Sequence, residues 1–242
     1  MPTSRDDPVS TQPPAPLTQQ TARPTLLQRY LFCRRAIIAA GYSAEIDYYA
    51  TRSLDTIDQD EFLMELGWVI VNSGMRHSIC RRLWPRLRAI FLEFSDLPRL
   101  QAQRPAIRAA ALAVLNSPAK IDAILAAADR LHGESWAAIK REIRRDGIAA
   151  LRRFRYVGPV LCFHLGKNLG LPVAKPDRHL LRIAAAAGYG TDVQRLCQDL
   201  ADASGDPVSV VDYVLWRTAS TLKPEYSAYF ASPPHALTEP QG

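Results

Sequence analysis

The chain has 242 residues, 48% of them hydrophobic, so it can form one large domain or two small lobes that share a core. Lys and Arg outnumber Asp and Glu by 30 to 24, and the pI of about 9.3 favours a polyanionic partner. The four cysteines include no Cys-x-x-Cys pair, which argues against a zinc or iron–sulfur site and favours reduced thiols. No stretch is typical of a membrane span or a signal peptide, so we expect a cytoplasmic protein, monomeric by default.

Helical patterns fill the chain between two proline-rich ends. Residues 1–24 carry six prolines among polar residues and are predicted to be a disordered tail, and residues 223–242 an irregular one. The intervening region, 25–222, is predicted to be all-α with about ten helices, because apolar residues recur at helical spacing and no segment alternates with period two. The predicted helices cover 26–40, 58–71, 75–94 with an interruption at Pro85, 105–115, 118–131, 135–145, 148–154, 160–169, 178–187, 192–203 and 208–220.

A short turn, Tyr156-Val157-Gly158-Pro159, joins the predicted helices 148–154 and 160–169. Gly158 permits a backbone conformation and a close approach that other residues resist, and Pro159 suits the first position of the following helix. Free N–H groups and the positive end of the dipole at that helix start suit a phosphate oxygen. The pattern therefore predicts a phosphate-binding hairpin, although such a turn also occurs as a plain helix connection.

One carboxylate, Asp177, stands among the cations Lys175, Arg178, His179 and Arg182. A second basic cluster without acids contains Arg76, Arg81, Arg82, Arg86 and Arg88. Asp at a helix start is also a common N-cap, and the two roles are compatible because capping orients the carboxylate.

The segment Lys175-Pro176-Asp177-Arg178-His179-Leu180-Leu181-Arg182, placed after the Tyr156–Pro159 turn, resembles the helix-hairpin-helix DNA glycosylase superfamily. The resemblance is strongest over residues 149–187 and extends weakly to 62–92. It implies two helical lobes, a helix-hairpin-helix motif over 148–170 and double-stranded DNA as partner, with association with the nucleoid through that DNA. It also implies hydrolysis of the N-glycosidic bond of a damaged or modified base, with Asp177 as the catalytic carboxylate.

This chain differs from some members of that superfamily at two points. Bifunctional members carry a catalytic lysine just after the hairpin glycine, where this chain has Val160, and the cysteines that hold an iron–sulfur cluster in one branch are missing. We therefore expect a monofunctional enzyme without a cofactor, apart from a monovalent cation that hairpin carbonyls can bind. Lys167 and Lys175 remain substitutes for the amine. The residues expected to contact DNA are Tyr156, Val157, Gly158, Pro159, Lys167, Lys175, Arg178, His179 and Arg182.

Base excision requires the base to leave the stack, so a residue must fill the gap and a pocket must receive the base. By resemblance, the filling residue is expected in the loop after an early helix, as Asn72, Met75 or Arg76. Trp68 and Trp84 are candidates for stacking on the base and Glu65 for reading an amino group, with Phe62, Tyr48 and Tyr49 as further aromatic candidates. An ordinary turn and ordinary core positions are the alternatives. A non-catalytic DNA-binding module stays open as the competing function.

Overall fold

The computed structural model describes residues 25–222 and 229–230, and this part of the chain forms α-helices and turns without a strand. The all-α prediction is thus confirmed. The predicted tail 1–24 and nearly all of 223–242 lie outside these residues. The helices are α1 (Leu26–Ala39), α2 (Ser43–Thr51), α3 (Gln59–Asn72), α4 (His77–Ile90), α5 (Leu97–Ala102), α6 (Arg104–Val114), α7 (Pro118–Gly133), α8 (Trp136–Asp146), α9 (Ile148–Leu151), α10 (Leu161–Asn168), α11 (Arg178–Ala186), α12 (Val193–Ser204) and α13 (Val208–Leu222).

Side-chain caps fix several helix starts where the sequence predicts them. Asp58 accepts a hydrogen bond from the backbone N–H of Glu61 at the start of α3, and Asp192 caps α12 in the same way. Ser135 caps α8. Each cap pairs a backbone donor that the helix itself leaves without a partner.

Four segments differ from the sequence-based prediction. Helix α4 continues through Pro85, which was expected to interrupt it; Pro85 is exposed, so the carbonyl that loses its partner lies at the surface. Helix α9 ends at Leu151 instead of residue 154. Two short helices, α2 and α5, were not predicted.

The helices form two lobes, each with its own hydrophobic core. The core of the first lobe is built from α3 to α10 and centres on residues such as Phe62, Leu66 and Leu165. The core of the second lobe combines α1 and α2 with α11 to α13, and includes Tyr30, Leu180 and Val214. The start of the described chain therefore packs against its end, and a cleft opens between the lobes.

Candidate functional site

A cleft of about 1380 Å³ lies between the two lobes and receives side chains from α2, α3, α4, α10, α11 and α13. Its lining is rich in aromatic rings and cations. The aromatic residues are Tyr48, Tyr49, Trp68, His77, Trp84, Tyr213 and Trp216, and the cations are Arg76, Arg81, Arg88, Lys167, Lys175, Arg178 and Arg217. Flat apolar walls beside positive charge suit a ligand that joins a planar ring to an anion.

Asp177 lies in this cleft as the N-cap of α11. Its Oδ1 atom accepts hydrogen bonds from the backbone N–H groups of His179, at 2.8 Å, and Leu180, at 3.1 Å. Its Oδ2 atom accepts no hydrogen bond and forms no ion pair within the part of the chain that is described, despite the cations nearby in sequence. The cap therefore orients the carboxylate and leaves Oδ2 without a partner among the described residues.

Lys175 precedes Asp177 by two residues and also lines the cleft. Its Nζ atom lies 3.3 Å from Nδ1 of His164, and no carboxylate forms a salt bridge with it among the described residues. Burial, reinforced by the positive charge of Lys167, lowers the pKa of Lys175 below its usual range. Burial and the two lysines likewise depress the pKa of His164, so its imidazole is neutral and its Nδ1 atom can accept a hydrogen bond from Nζ of Lys175.

Lys167 is not available to a DNA phosphate, which corrects the sequence-based prediction. The residue is 5% exposed, and its ammonium forms a short ion pair with the equally buried Asp212 of α13. Its Nζ atom also lies 4.8 Å from the centre of the Tyr49 ring. Burial alone would lower the pKa of Lys167, but the Asp212 carboxylate outweighs burial and raises it, so the side chain stays charged.

Asp212 was missed by sequence reasoning, because a single Asp within the apolar pattern of α13 carries no recognisable motif. Besides its ion pair with Lys167, it accepts a hydrogen bond of 2.6 Å from the backbone N–H of Lys175 at Oδ2. The carboxylate thus attaches the segment before α11 to helices α10 and α13. Through that segment it helps to fix the position of Asp177.

Glu65 lies at the cleft wall as expected, but both of its oxygens already accept hydrogen bonds. Tyr48 Oη donates to Oε1 at 2.6 Å, and Asn168 Nδ2 donates to Oε2 at 2.9 Å. Arg52 Nη2 stands 3.7 Å from Oε1. Burial raises the pKa of Glu65, while these two hydrogen bonds and Arg52 act in the opposite direction.

Trp68 and Trp84 form an aromatic wall, with ring centres 5.4 Å apart. His77 continues the wall toward Trp216, at 5.6 Å from Trp68 and 6.2 Å from Trp216. Trp216, which was not predicted as a site residue, also lines the cleft, with Arg217 over its ring at 4.9 Å. Phe62, in contrast, is fully buried in the first core and is excluded as a stacking residue.

The three residues expected to fill the duplex gap, Asn72, Met75 and Arg76, all reach the cleft. They lie in the connection between α3 and α4, where Gly74 has a positive φ of 67°. Lys120 of α7 fixes this connection. Its Nζ atom donates hydrogen bonds to the carbonyl oxygens of Val71, at 2.8 Å, and Ser73, at 2.6 Å. A cation at the last carbonyls of α3 also complements the helix dipole.

The hairpin between α9 and α10 differs in detail from the sequence-based prediction. Tyr156, not Gly158, adopts the left-handed conformation, with φ at 74°. Val157 is 4% exposed and packs in the first core, so its side chain does not face a ligand. Tyr156 and Val160 are exposed, and a side chain built at Gly158 would meet no atom within 4 Å. The start of α10 has no side-chain cap, and of its leading backbone N–H groups that of Cys162 donates to the carbonyl oxygen of Gly158 at 3.1 Å.

The basic residues in and around the cleft differ in whether a carboxylate pairs with them. Outside the cleft, Arg144, Arg145 and Arg153 form ion pairs with Asp55, Asp146 and Glu142, which neutralise part of the positive charge of α8 and of the segment after α9. On α4, Arg88 pairs with Glu93, whereas Arg81, Arg82 and Arg86 are exposed without a salt bridge to a described residue. Arg178 and Arg182 are exposed on α11, with Arg178 and His179 at the cleft.

Comparisons with protein-family models, with curated proteins and with solved structures find no match to this chain. The described residues contain no group of three or more His, Cys, Asp or Glu side chains arranged to hold a metal ion. Within the same ranges, no helix has the length and apolar character needed to cross a membrane.

Proposed function

We propose that this protein is a monofunctional DNA glycosylase that hydrolyses the N-glycosidic bond of a damaged or modified base. The observation that carries the proposal is the Asp177 carboxylate. It is oriented by the N-terminus of α11, keeps Oδ2 without a partner, and lies in a cleft with aromatic walls and a cationic rim. A carboxylate facing DNA weakens binding through charge repulsion, so its place in a basic cleft favours a chemical role.

The arrangement supports a dissociative hydrolysis. When the bond between C1′ and the base nitrogen breaks, the base leaves with the bonding electrons and the sugar acquires oxocarbenium character. The negative charge of Asp177 stabilises that developing positive charge. Water then forms the new bond to C1′, and Asp177 Oδ2 is the acceptor for its proton.

The remainder of the cleft supports a substrate extruded from duplex DNA. Trp68 and Trp84 offer faces for a planar base, and Asn72, Met75 and Arg76, which line the same cleft, are the candidates for the side chain that replaces it in the stack. The exposed arginines of α4 and the uncapped start of α10 add contacts to backbone phosphates.

Excision assays on duplexes that each carry one altered base test the proposal. Breaks that appear at one base only after alkali treatment are expected, because hydrolysis leaves an abasic site in an intact strand. Binding to duplex DNA without excision of any base would instead favour the non-catalytic DNA-binding module.

Lys175 favours a second candidate, a glycosylase that also cleaves abasic sites. Of the two lysines that sequence reasoning retained, Lys167 is held by Asp212, whereas Lys175 has a lowered pKa, lies 3.3 Å from His164 and forms no salt bridge with a described residue. Such an amine can attack the C1′ aldehyde of an abasic site and form an imine with loss of water.

Borohydride trapping distinguishes this candidate from a glycosylase that only hydrolyses the N-glycosidic bond. A covalent adduct lost in Lys175→Met but kept in Lys140→Met, which removes an amine outside the cleft, would establish it. Because the neutral amine is the reactive form, trapping should increase with pH and level off below the ordinary lysine range near 10.5. Absence of an adduct at every pH would mean that the protein has no lyase activity and would leave hydrolysis as its only proposed reaction.

A further inference from the structure

Arg217 of α13 brings a guanidinium group into the cleft that no carboxylate of the described residues neutralises. Its Nε atom donates a hydrogen bond to Oη of Tyr213 at 3.1 Å. Its two Nη atoms form no hydrogen bond with a described residue, and both remain accessible in a side chain that is half-buried. An accessible guanidinium with a free fork of N–H donors can bind an external anion.

Three aromatic rings hold this guanidinium in place. Its central carbon lies 4.3 Å from the centre of the Tyr42 ring, 4.9 Å from that of Trp216 and 5.5 Å from that of Tyr213. Such contacts stabilise the cation without supplying an acceptor for its N–H groups. The side chain is therefore positioned before a ligand arrives, and less conformational entropy is lost on binding.

Other positive groups face the same part of the cleft. The His77 ring lies 6.2 Å from that of Trp216, and Arg81 and Lys175 line the cleft as well. Burial lowers the pKa of His77, and the charges of Arg217, Arg81 and Lys175 lower it further, so these charges act at one place. None of the three cations has a salt bridge to a described residue. Their convergence favours an anionic ligand.

The carboxylates that line the cleft do not neutralise this charge. Asp212 is engaged in its buried ion pair, and both oxygens of Glu65 accept hydrogen bonds within the wall. Glu45 and Asp177 form no ion pair with any residue that the structure describes. Lys175 stands two residues before Asp177, so part of the unneutralised charge lies beside the proposed catalytic carboxylate.

We propose that Arg217 is a phosphate-binding residue of the second lobe, whose Nη atoms donate two hydrogen bonds to a phosphate that flanks the extruded nucleotide. The inference rests on the proposed function and specifies the substrate as a nucleotide within a DNA strand, as distinct from a free nucleoside. The deoxyribose whose C1′ faces Asp177 carries its own phosphates, so both groups reach the cleft together. A neutral acceptor edge of a base would not account for the further cations around Arg217.

Substitution of single phosphates by methylphosphonate, which replaces a charged oxygen with a methyl group, tests the inference. The probe is a duplex with one tetrahydrofuran abasic analogue, in which each linkage beside the analogue is neutralised in turn. Wild-type protein should bind about tenfold or more weakly when one of these linkages is neutralised. Arg217→Gln should bind the unmodified duplex about equally weakly, and neutralisation of that linkage should cost it less than about twofold more.

Arg195→Gln is the matched control, because it removes the same charge from α12 outside the cleft, where the side chain is 73% exposed. It should retain the affinity of wild type and its dependence on the linkage. Arg217→Lys keeps the charge but not the fork, so the dependence on that linkage should decrease about threefold or more.

A dependence on the linkage that survives unchanged in Arg217→Gln would overturn the inference. So would a wild type that binds equally well with either flanking linkage neutralised, a result that needs no variant to fold. A loss in Arg217→Gln that occurs only when a base is present, and not with the abasic analogue, would assign Arg217 to a base edge and likewise overturn it.

The failure of the inference and that of the proposed function look different. Excision of an altered base by a wild type that is insensitive to both linkages would contradict the role of Arg217 and leave the glycosylase intact. A linkage dependence that requires Arg217, without excision of any base, would support the phosphate site and contradict the hydrolysis. Absence of both DNA binding and excision would overturn both.

Discussion

The buried ion pair of Lys167 and Asp212 helps to fix the geometry of the cleft. Both side chains are almost fully buried, at 6% and 2% exposure, and Asp212 also accepts the backbone N–H of Lys175. Two charges inside a protein are tolerated when each neutralises the other, and removal of one leaves the other without compensation.

We therefore predict that Lys167→Met lowers the free energy of unfolding by about 3–5 kcal/mol, and that Asp212→Asn does so similarly. The double variant Lys167→Met/Asp212→Asn should lose much less than the sum, because neither charge remains and Asn still offers an oxygen to Lys175. Urea denaturation of the four proteins measures these differences. Single losses that simply add would show that the two groups do not depend on each other.

Gly170, which follows α10, is constrained both by its backbone conformation and by a close contact with another segment. Its φ is +80°, and a methyl group built on it would lie 2.6 Å from the backbone oxygen of Arg52. The approach brings the end of α10 against the connection between α2 and α3, next to the network of Glu65 and Asn168. Only glycine combines this conformation with this contact.

Gly170→Ala should lower the free energy of unfolding by at least about 3 kcal/mol, since a backbone clash adds to the cost of the left-handed conformation. Gly188→Ala is the matched control: its φ is +88°, but the added methyl group meets nothing within 4 Å. The control should lose only about 1–2 kcal/mol in the same denaturation experiment. Equal losses would mean that the contact with Arg52 contributes nothing.

At the scale of elements, the hairpin between α9 and α10 is the segment expected to hold the DNA backbone. Gly158 has an ordinary φ and open space around it, so it accepts a side chain without strain. Gly158→Asp should therefore fold normally and bind duplex DNA at least about tenfold more weakly, whatever the sequence, because a negative charge meets the phosphates.

Gly133→Asp supplies the control for the hairpin variant, because it adds the same charge at another exposed and open glycine, the end of α7. Titration of a labelled duplex at constant salt measures both affinities. Unchanged binding by Gly158→Asp, or equal weakening by the two variants, would contradict a phosphate contact at the hairpin.

The elements also show what the sequence can and cannot predict. Caps such as Asp58, Ser135 and Asp192 act over three residues, so they can be recognised in one dimension. The left-handed Tyr156 and the unbroken α4 at Pro85 went against local preference, because tertiary packing and exposure outweighed it. The short helices α2 and α5 were missed because few residues leave little periodicity to detect.

At the scale of the whole molecule, the candidate site exists because two lobes meet. The second lobe is assembled from both ends of the described chain, so α2 and α13 bring Tyr48, Asp212 and Trp216 to a cleft whose opposite wall is α3 and α4. Asp177 and the connection 72–76 were expected at one site by resemblance to a family, and residues of both line the cleft. Asn168 and Asp212 were not predicted, because their roles depend on partners 103 and 45 residues away.

The account as a whole depends on Asp177, and the most direct measurement is the single-turnover rate at which Asp177→Asn releases the preferred base. Asn caps a helix as well as Asp does, so the fold should be retained while the charge is lost. We predict a loss of at least about 100-fold in excision rate, with DNA affinity equal or higher. Asp192→Asn, at the cap of α12 outside the cleft, should leave the rate unchanged. Excision by Asp177→Asn at the wild-type rate would contradict the assignment of the catalytic carboxylate.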